Sequence, residues 1–171
     1  MQILEKILVA TDFTKSNDNA IQSAIRLAKI FNSRIVLLHV LPSDIENEKA
    51  KDLLDRAAKS ELFKLRESIA KEGVKTDDPI LEHGDHLDRI IRISEDIDAN
   101  LILIGAGENP NNKAVKLGTT ANKVIQKSDK PVMVIQSGKY LELDKVICPV
   151  DFSDESIRAL ENAMIMARRF N

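Results

Sequence analysis

The sequence predicts an α/β fold in which a parallel sheet is covered by helices on both faces, and three observations carry that expectation. Apolar runs of strand length recur along the chain, at 7–10, 35–40, 80–81, 101–104 and 132–135. Most of them place Val, Ile and Leu on consecutive positions, the pattern of strands buried on both faces. Segments with helical spacing separate them. Right-handed crossovers turn such alternation into a parallel sheet, and its ligands bind beyond the strand C-termini, where the strand order reverses.

The first strand, 7–10, leads into a helical pattern with Ala20, Ala24, Leu27, Ala28 and Phe31 on one face, small residues suited to close packing on a sheet. The second strand precedes a longer helix that sets Leu53, Leu54, Ala57, Ala58, Leu65 and Ile69 among charges and ends near Gly73, where a C-terminal glycine is expected. After the third strand, Leu87, Ile90, Ile91 and Ile97 mark a third helix. The fourth strand is followed, past Gly118, by a helix that Thr119 or Thr120 can cap and that carries Ala121, Val124 and Ile125. Lys130-Pro131 then forces extension into the fifth strand.

At 171 residues the chain holds one well-filled core and is short for two domains. Its 25 basic and 27 acidic residues leave a net charge of −2, too little for a field that holds a polyanion, so no nucleic-acid partner is expected. The apolar runs last a handful of residues where a bilayer span needs about 20, so no membrane partner is expected. The N-terminus enters a strand without a basic segment, a long apolar stretch or a small-residue cleavage site, which points to a cytoplasmic protein. The single cysteine, Cys148, lies in an apolar run and is expected to be a small buried core residue.

An internal repeat stands out. Residues 145–171 align with 6–32 at an offset of 139 without a gap, KILVATDFTKSNDNAIQSAIRLAKIFN against KVICPVDFSDESIRALENAMIMARRFN. The identities are Lys6/Lys145, Asp12/Asp151, Phe13/Phe152, the alanine ladder Ala20/Ala159, Ala24/Ala163 and Ala28/Ala167, then Phe31/Phe170 and Asn32/Asn171. This is duplication of a strand-helix unit. The expected organisation is a domain over 1–136, a linker over 137–144, and the opening strand and helix of a second, incomplete copy over 145–171. An isolated strand and helix cannot bury both apolar faces, so 146–150 is expected to add to an exposed sheet edge, in its own chain or a neighbour's.

Lys6-Ile7-Leu8-Val9-Ala10-Thr11-Asp12-Phe13-Thr14, Leu37-Leu38-His39-Val40, the run 101–105, Leu117-Gly118-Thr119 and Lys130-Pro131-Val132 together resemble universal stress proteins, in order across 6–135. The resemblance implies a five-stranded parallel sheet in the order 3-2-1-4-5, Rossmann-like and of the adenine nucleotide alpha hydrolase-like kind. It also implies a dimer through the last strand in many members, ATP at the strand ends in some, and tandem copies in others. Here the partner expected is a second copy or pseudo-copy, met through the last strand or the C-terminal remnant.

In nucleotide-binding members a glycine after the fourth strand is followed by two residues, a second glycine, nine residues, and a glycine with Ser or Thr. Gly105 and Gly118-Thr119 take the outer positions, and Glu108 takes the place of the second glycine. Gly107 supplies flexibility one residue early. Glycines let backbone approach phosphates, and amides at a helix start aim donors at anions, a task that suits Gly118, Thr119 and Thr120. A carboxylate ~4 Å from a phosphate charge would cost about 1 kcal/mol in water-like surroundings and about 4 kcal/mol at an effective dielectric of 20. Lys113, Lys116 or a Mg²⁺ ion bridging Glu108 to phosphate would offset it. By the same resemblance Asp12 meets adenine or ribose, the Val40 backbone meets the base, and Ala10, Thr11 and Ile104 line the pocket. On its residues alone, Asp12 equally reads as a cap on the following helix, and the glycines as ordinary turn residues.

The expected function is therefore an adenine-nucleotide-binding regulatory or stress-response module holding ATP or a relative; the alternative is a nucleotide-free dimerisation or interaction protein of the same fold. An enzyme is not expected, because the Gly-Lys-Ser/Thr phosphate loop and the Ser-centred elbow are both missing. A receiver domain lacks its acidic pair here, and Asp12-Phe13-Thr14 occupies the turn where a dinucleotide enzyme needs Gly-x-Gly-x-x-Gly. His39, His83 and His86 have no partner at metal-ligand spacing, so no metal site is expected.

Overall fold

A computed structural model describes residues 4–107, 117–136, 138, 141 and 143–170. The chain divides into two compact units, Met1–Tyr140 and Leu141–Asn171.

In the first unit, β1 (Lys6–Ala10) buries Ile7, Leu8 and Val9 completely, as consecutive apolar residues in a two-sided strand must. It is flanked by β2 (Arg34–Leu41) and β5 (Leu101–Gly105), and every pairing in the sheet is parallel. β6 (Val132–Ile135) closes one side against β5. On the other side of β2 lie two short strands, β3 (Lys75–Thr76) and β4 (Ile80–His83). The expected third strand is thus split, and the sheet has six strands rather than five. Pro79 explains the break: it has no N–H to donate to the ladder. Counting the two pieces as one restores the order 3-2-1-4-5.

Alternation divides the strand residues between two helical layers. Leu8, Val36, Leu38, Val40, Ile102 and Ile104 pack with Leu87, Ile90 and Ile93 of α3 (His86–Asp96) and Ala121 and Val124 of α4 (Thr119–Lys127). On the opposite face α1 (Lys15–Phe31) buries Ala20, Ala24, Leu27 and Ala28, and α2 (Glu48–Lys71) buries Ala58, Leu62 and Ile69. Leu53 and Leu54 of α2 are exposed.

Among its described residues the second unit contains α5 (Asp154–Phe170) and no strand. Residues 146–150, expected to add to a sheet edge of this chain or a neighbour's, carry no strand assignment here, and Ile147 is 92% exposed. Cys148 is accordingly half-buried instead of in a core. What the two units share is a turn. Thr14 donates to Asp12 Oδ1 from its amide at 2.9 Å and from its hydroxyl at 2.7 Å; Ser153 does the same to Asp151 Oδ1 at 3.0 and 2.6 Å. Phe13 and Phe152, between them, have φ of 60° and 64°.

Candidate functional site

The chain runs from β1 to β2 on one side and returns past β1 to β5 on the other, so the order reverses between β1 and β5. Ala10 sits in register with Leu38 and with Ile104, which brings Thr11, Asp12 and Gly105 out along one rim. A cavity of about 290 Å³ opens there.

Its β1 side is rigidly built. Thr11 donates its amide to the Leu38 carbonyl at 2.9 Å, and its own carbonyl accepts from His39 Nδ1 at 2.7 Å, which fixes the histidine tautomer. The Phe13 ring lies on the His39 ring at 4.4 Å between centroids. Asp12 closes an Asx-type turn; it precedes the N-cap, Thr14, by two residues and does not cap the helix itself. Partial burial pushes its carboxyl up, but hydrogen bonds from the hydroxyl and amide of Thr14 and from Asn17 prevail and hold it below the usual carboxylate range.

The opposite side is a clasp between the end of β5 and the start of α4. Ala106 donates to the Ile135 carbonyl at 2.9 Å and accepts from the Gly118 amide at 2.7 Å. Gly107 has φ of +81°, a left-handed backbone that favours glycine, and a Cβ on Gly118 would stand 3.0 Å from the Ala106 oxygen. Gly118, not Thr119 or Thr120, is the N-cap of α4, and it supplies no side-chain acceptor. The first amide of α4 with a helical bond is that of Asn122, to the Gly118 carbonyl. By contrast, α2 and α3 are capped by Asn47 and Asp85. The first turn of α4 also carries no acidic residue, so its positive end beside the cavity has no compensating charge from its own first turn. Leu38, Val40, Ile90 and Ile104 make an apolar floor between the two sides.

The structure gathers Ala10, Thr11, Asp12, Val40, Ile104, Gly105, Gly107, Gly118, Thr119 and Thr120 around this one cavity. Glu108, together with Lys113 and Lys116, lies outside the described residues. Sequence reasoning missed Asn17, Leu38, His86, Ile90, Ala106 and Ala121, which also line it. His86 and Ile90 are one helical turn apart, a spacing that could have placed both on one face. Among the described residues no helix is long and apolar enough to cross a membrane.

A doubly wound parallel sheet with an apolar cleft at its switch point, glycines on one wall and an uncapped helix start beside them, is an α/β module with its cleft where such sheets take their ligands. The chain belongs to the universal stress protein family, whose model matches residues 4–136. It is 26% identical to universal stress protein MJ0577 of Methanocaldococcus jannaschii over 155 residues, 77% of this chain and 94% of that protein. The solved structure of MJ0577 superposes with a TM-score of 0.71, covering 81% of this chain and 99% of the other. A universal stress protein from Archaeoglobus fulgidus in complex with dAMP is 26% identical, with a TM-score of 0.60, over 78% of this chain and 98% of that one. Another from the same organism, 27% identical with a TM-score of 0.59, is matched over 80% of this chain but only 45% of its own length.

Proposed function

We propose that the cavity binds an adenine nucleotide and that the chain is a nucleotide-responsive regulatory or stress-response module of the cytoplasm, not an enzyme. The observation that carries the reading is the uncapped start of α4, clasped through Gly118 and Gly107 to the end of β5, across an apolar floor from Asp12. The free amides and helix dipole suit phosphate, the floor suits a purine, and the Asp12 carboxylate suits a base amine or a ribose hydroxyl. The dAMP held by the A. fulgidus relative supports the ligand class. ATP and an accompanying Mg²⁺ are the finer form of the proposal.

Thermal unfolding with AMP, ADP and ATP, each with and without Mg²⁺, tests it. At a ligand concentration 100-fold above Kd the native state gains about 2.7 kcal/mol, which raises Tm by several degrees. No shift with any of them refutes the proposal. The rival, a nucleotide-free interaction protein, is favoured by Glu108 in the second glycine position; on that reading only Glu108→Gly responds to ATP.

The partner we propose is a second copy of the chain. Among the described residues no strand pairs with the outer side of β6, and three of that strand's four residues are only half-buried, which supports pairing through the last strand. The alternative contact is the 145–171 repeat, which we read as the opening of a second universal stress protein copy. The A. fulgidus relative less than half covered by this chain fits a tandem arrangement.

A further inference from the structure

Asn17 stands in the first turn of α1, is 6% exposed, and lines the cavity. Its Nδ2 donates to the Ala10 carbonyl at 3.3 Å and to Asp12 Oδ1 at 3.2 Å. Both partners are acceptors, so chemistry fixes the amide: a flipped side chain would set oxygen against oxygen twice. The consequence is that Asn17 Oδ1 is buried with no hydrogen bond, alone in this among the side-chain atoms of the described residues. Buried polar atoms are nearly always partnered, and an unmet acceptor detracts from stability.

The repeat supplies an internal control. Ser156 occupies the position equivalent to Asn17, and its Oγ donates to the Ser153 carbonyl at 3.0 Å and receives the Asp151 amide at 3.4 Å. The Asp151 turn nevertheless closes with the same two bonds and the same positive φ as the Asp12 turn. An asparagine is therefore not needed to make the turn. What Asn17 adds is a tie from the carboxylate to the end of β1, at the expense of an unsatisfied oxygen.

We propose that Asn17 is a positioning residue for the cavity: as a third donor to Asp12 Oδ1, which Thr14 already engages, it ties the carboxylate to the end of β1 and so presents Oδ2 to a donor on the ligand, a base amine or a ribose hydroxyl. This rests on the nucleotide reading above, and the test separates the two. ADP affinity is measured by calorimetry for the wild type, Asn17→Ala, Asp12→Ala and the double variant, with the Tm of each free protein. Asn17→Ala is expected to weaken ADP about tenfold, the scale of one hydrogen bond to a charged group. It should change the free-protein Tm by no more than a degree or two, since the lost bonds and the lost orphan offset each other. In the Asp12→Ala background it should weaken ADP no further. Additive losses, or a Tm fall of several degrees with affinity intact, would overturn the proposal in favour of a structural brace. If the wild type binds no nucleotide at all, the functional reading falls. The Asp12 titration followed by carbon NMR in Asn17→Ala then decides positioning: an upward-moved midpoint sustains it and an unmoved one ends it.

Discussion

A methyl group on Gly118 would meet the Ala106 carbonyl oxygen at 3.0 Å and its carbon at 3.7 Å, and both belong to backbone that is pinned by the Gly118 amide and by β6. The Gly118 backbone, with φ of −60°, is open to any residue, so the objection to a side chain there is steric and not conformational. Gly118→Ala is expected to lower stability by about 1–2 kcal/mol, the usual scale of overpacking. It should also reduce the nucleotide-induced rise in Tm more than in proportion, because the α4 start must withdraw from the rim. A full ligand response in Gly118→Ala would show that the clasp is ordinary turn structure. At this scale the sequence was legible where a residue's place follows from the element it ends or begins: Asp12 sits two residues beyond β1, Gly105 ends β5, and the Gly118-Thr119 pair opens α4. Asn17, His86 and Ile90 were not legible, because they reach the cavity only through the angle at which α1 and α3 dock, which local spacing does not encode.

Among the elements, α1 and α5 are the informative pair, since they share the alanine ladder and differ in surroundings. Ala20, Ala24 and Ala28 are 0–2% exposed beneath the sheet, whereas α5 has no buried residue at all. Ala24→Leu forces extra methylenes into a closed contact and is expected to cost about 1–3 kcal/mol, a fall in Tm of several degrees. Ala163→Leu, its repeat counterpart, should stay within about 0.5 kcal/mol. Equal losses in thermal unfolding would mean that α5 is covered as α1 is. The comparison also shows what the sequence carried at this level. Helical spacing predicted α1 to α4, because the period of a helix is written in its own residues, and the repeat predicted α5. The third strand broke in two because Pro79 has no N–H for the ladder, and 146–150 forms no strand within this chain, since pairing depends on an edge that its own residues do not encode.

For the molecule as a whole, the two proposed routes to a second copy make opposite demands on residues 141–171. Those residues form a compact unit separate from Met1–Tyr140, which holds all six strands and both helical layers. A chain ending at Tyr140 therefore retains the sheet and both helical layers and should unfold cooperatively with heat, which differential scanning calorimetry reads directly. Its sedimentation then discriminates. If copies pair through β6, whose outer backbone donors and acceptors form an open template, the shortened chain remains a dimer. Val134→Pro, which removes an amide and sits badly in a strand, should then lower dimerisation at least tenfold. If instead the exposed Ile157, Leu160 and Met164 of α5 make the contact, removal of 141–171 yields monomers while Val134→Pro leaves the full chain dimeric. A full-length chain that sediments as a monomer at every concentration would exclude both routes, and would leave the nucleotide cavity as a property of the single chain.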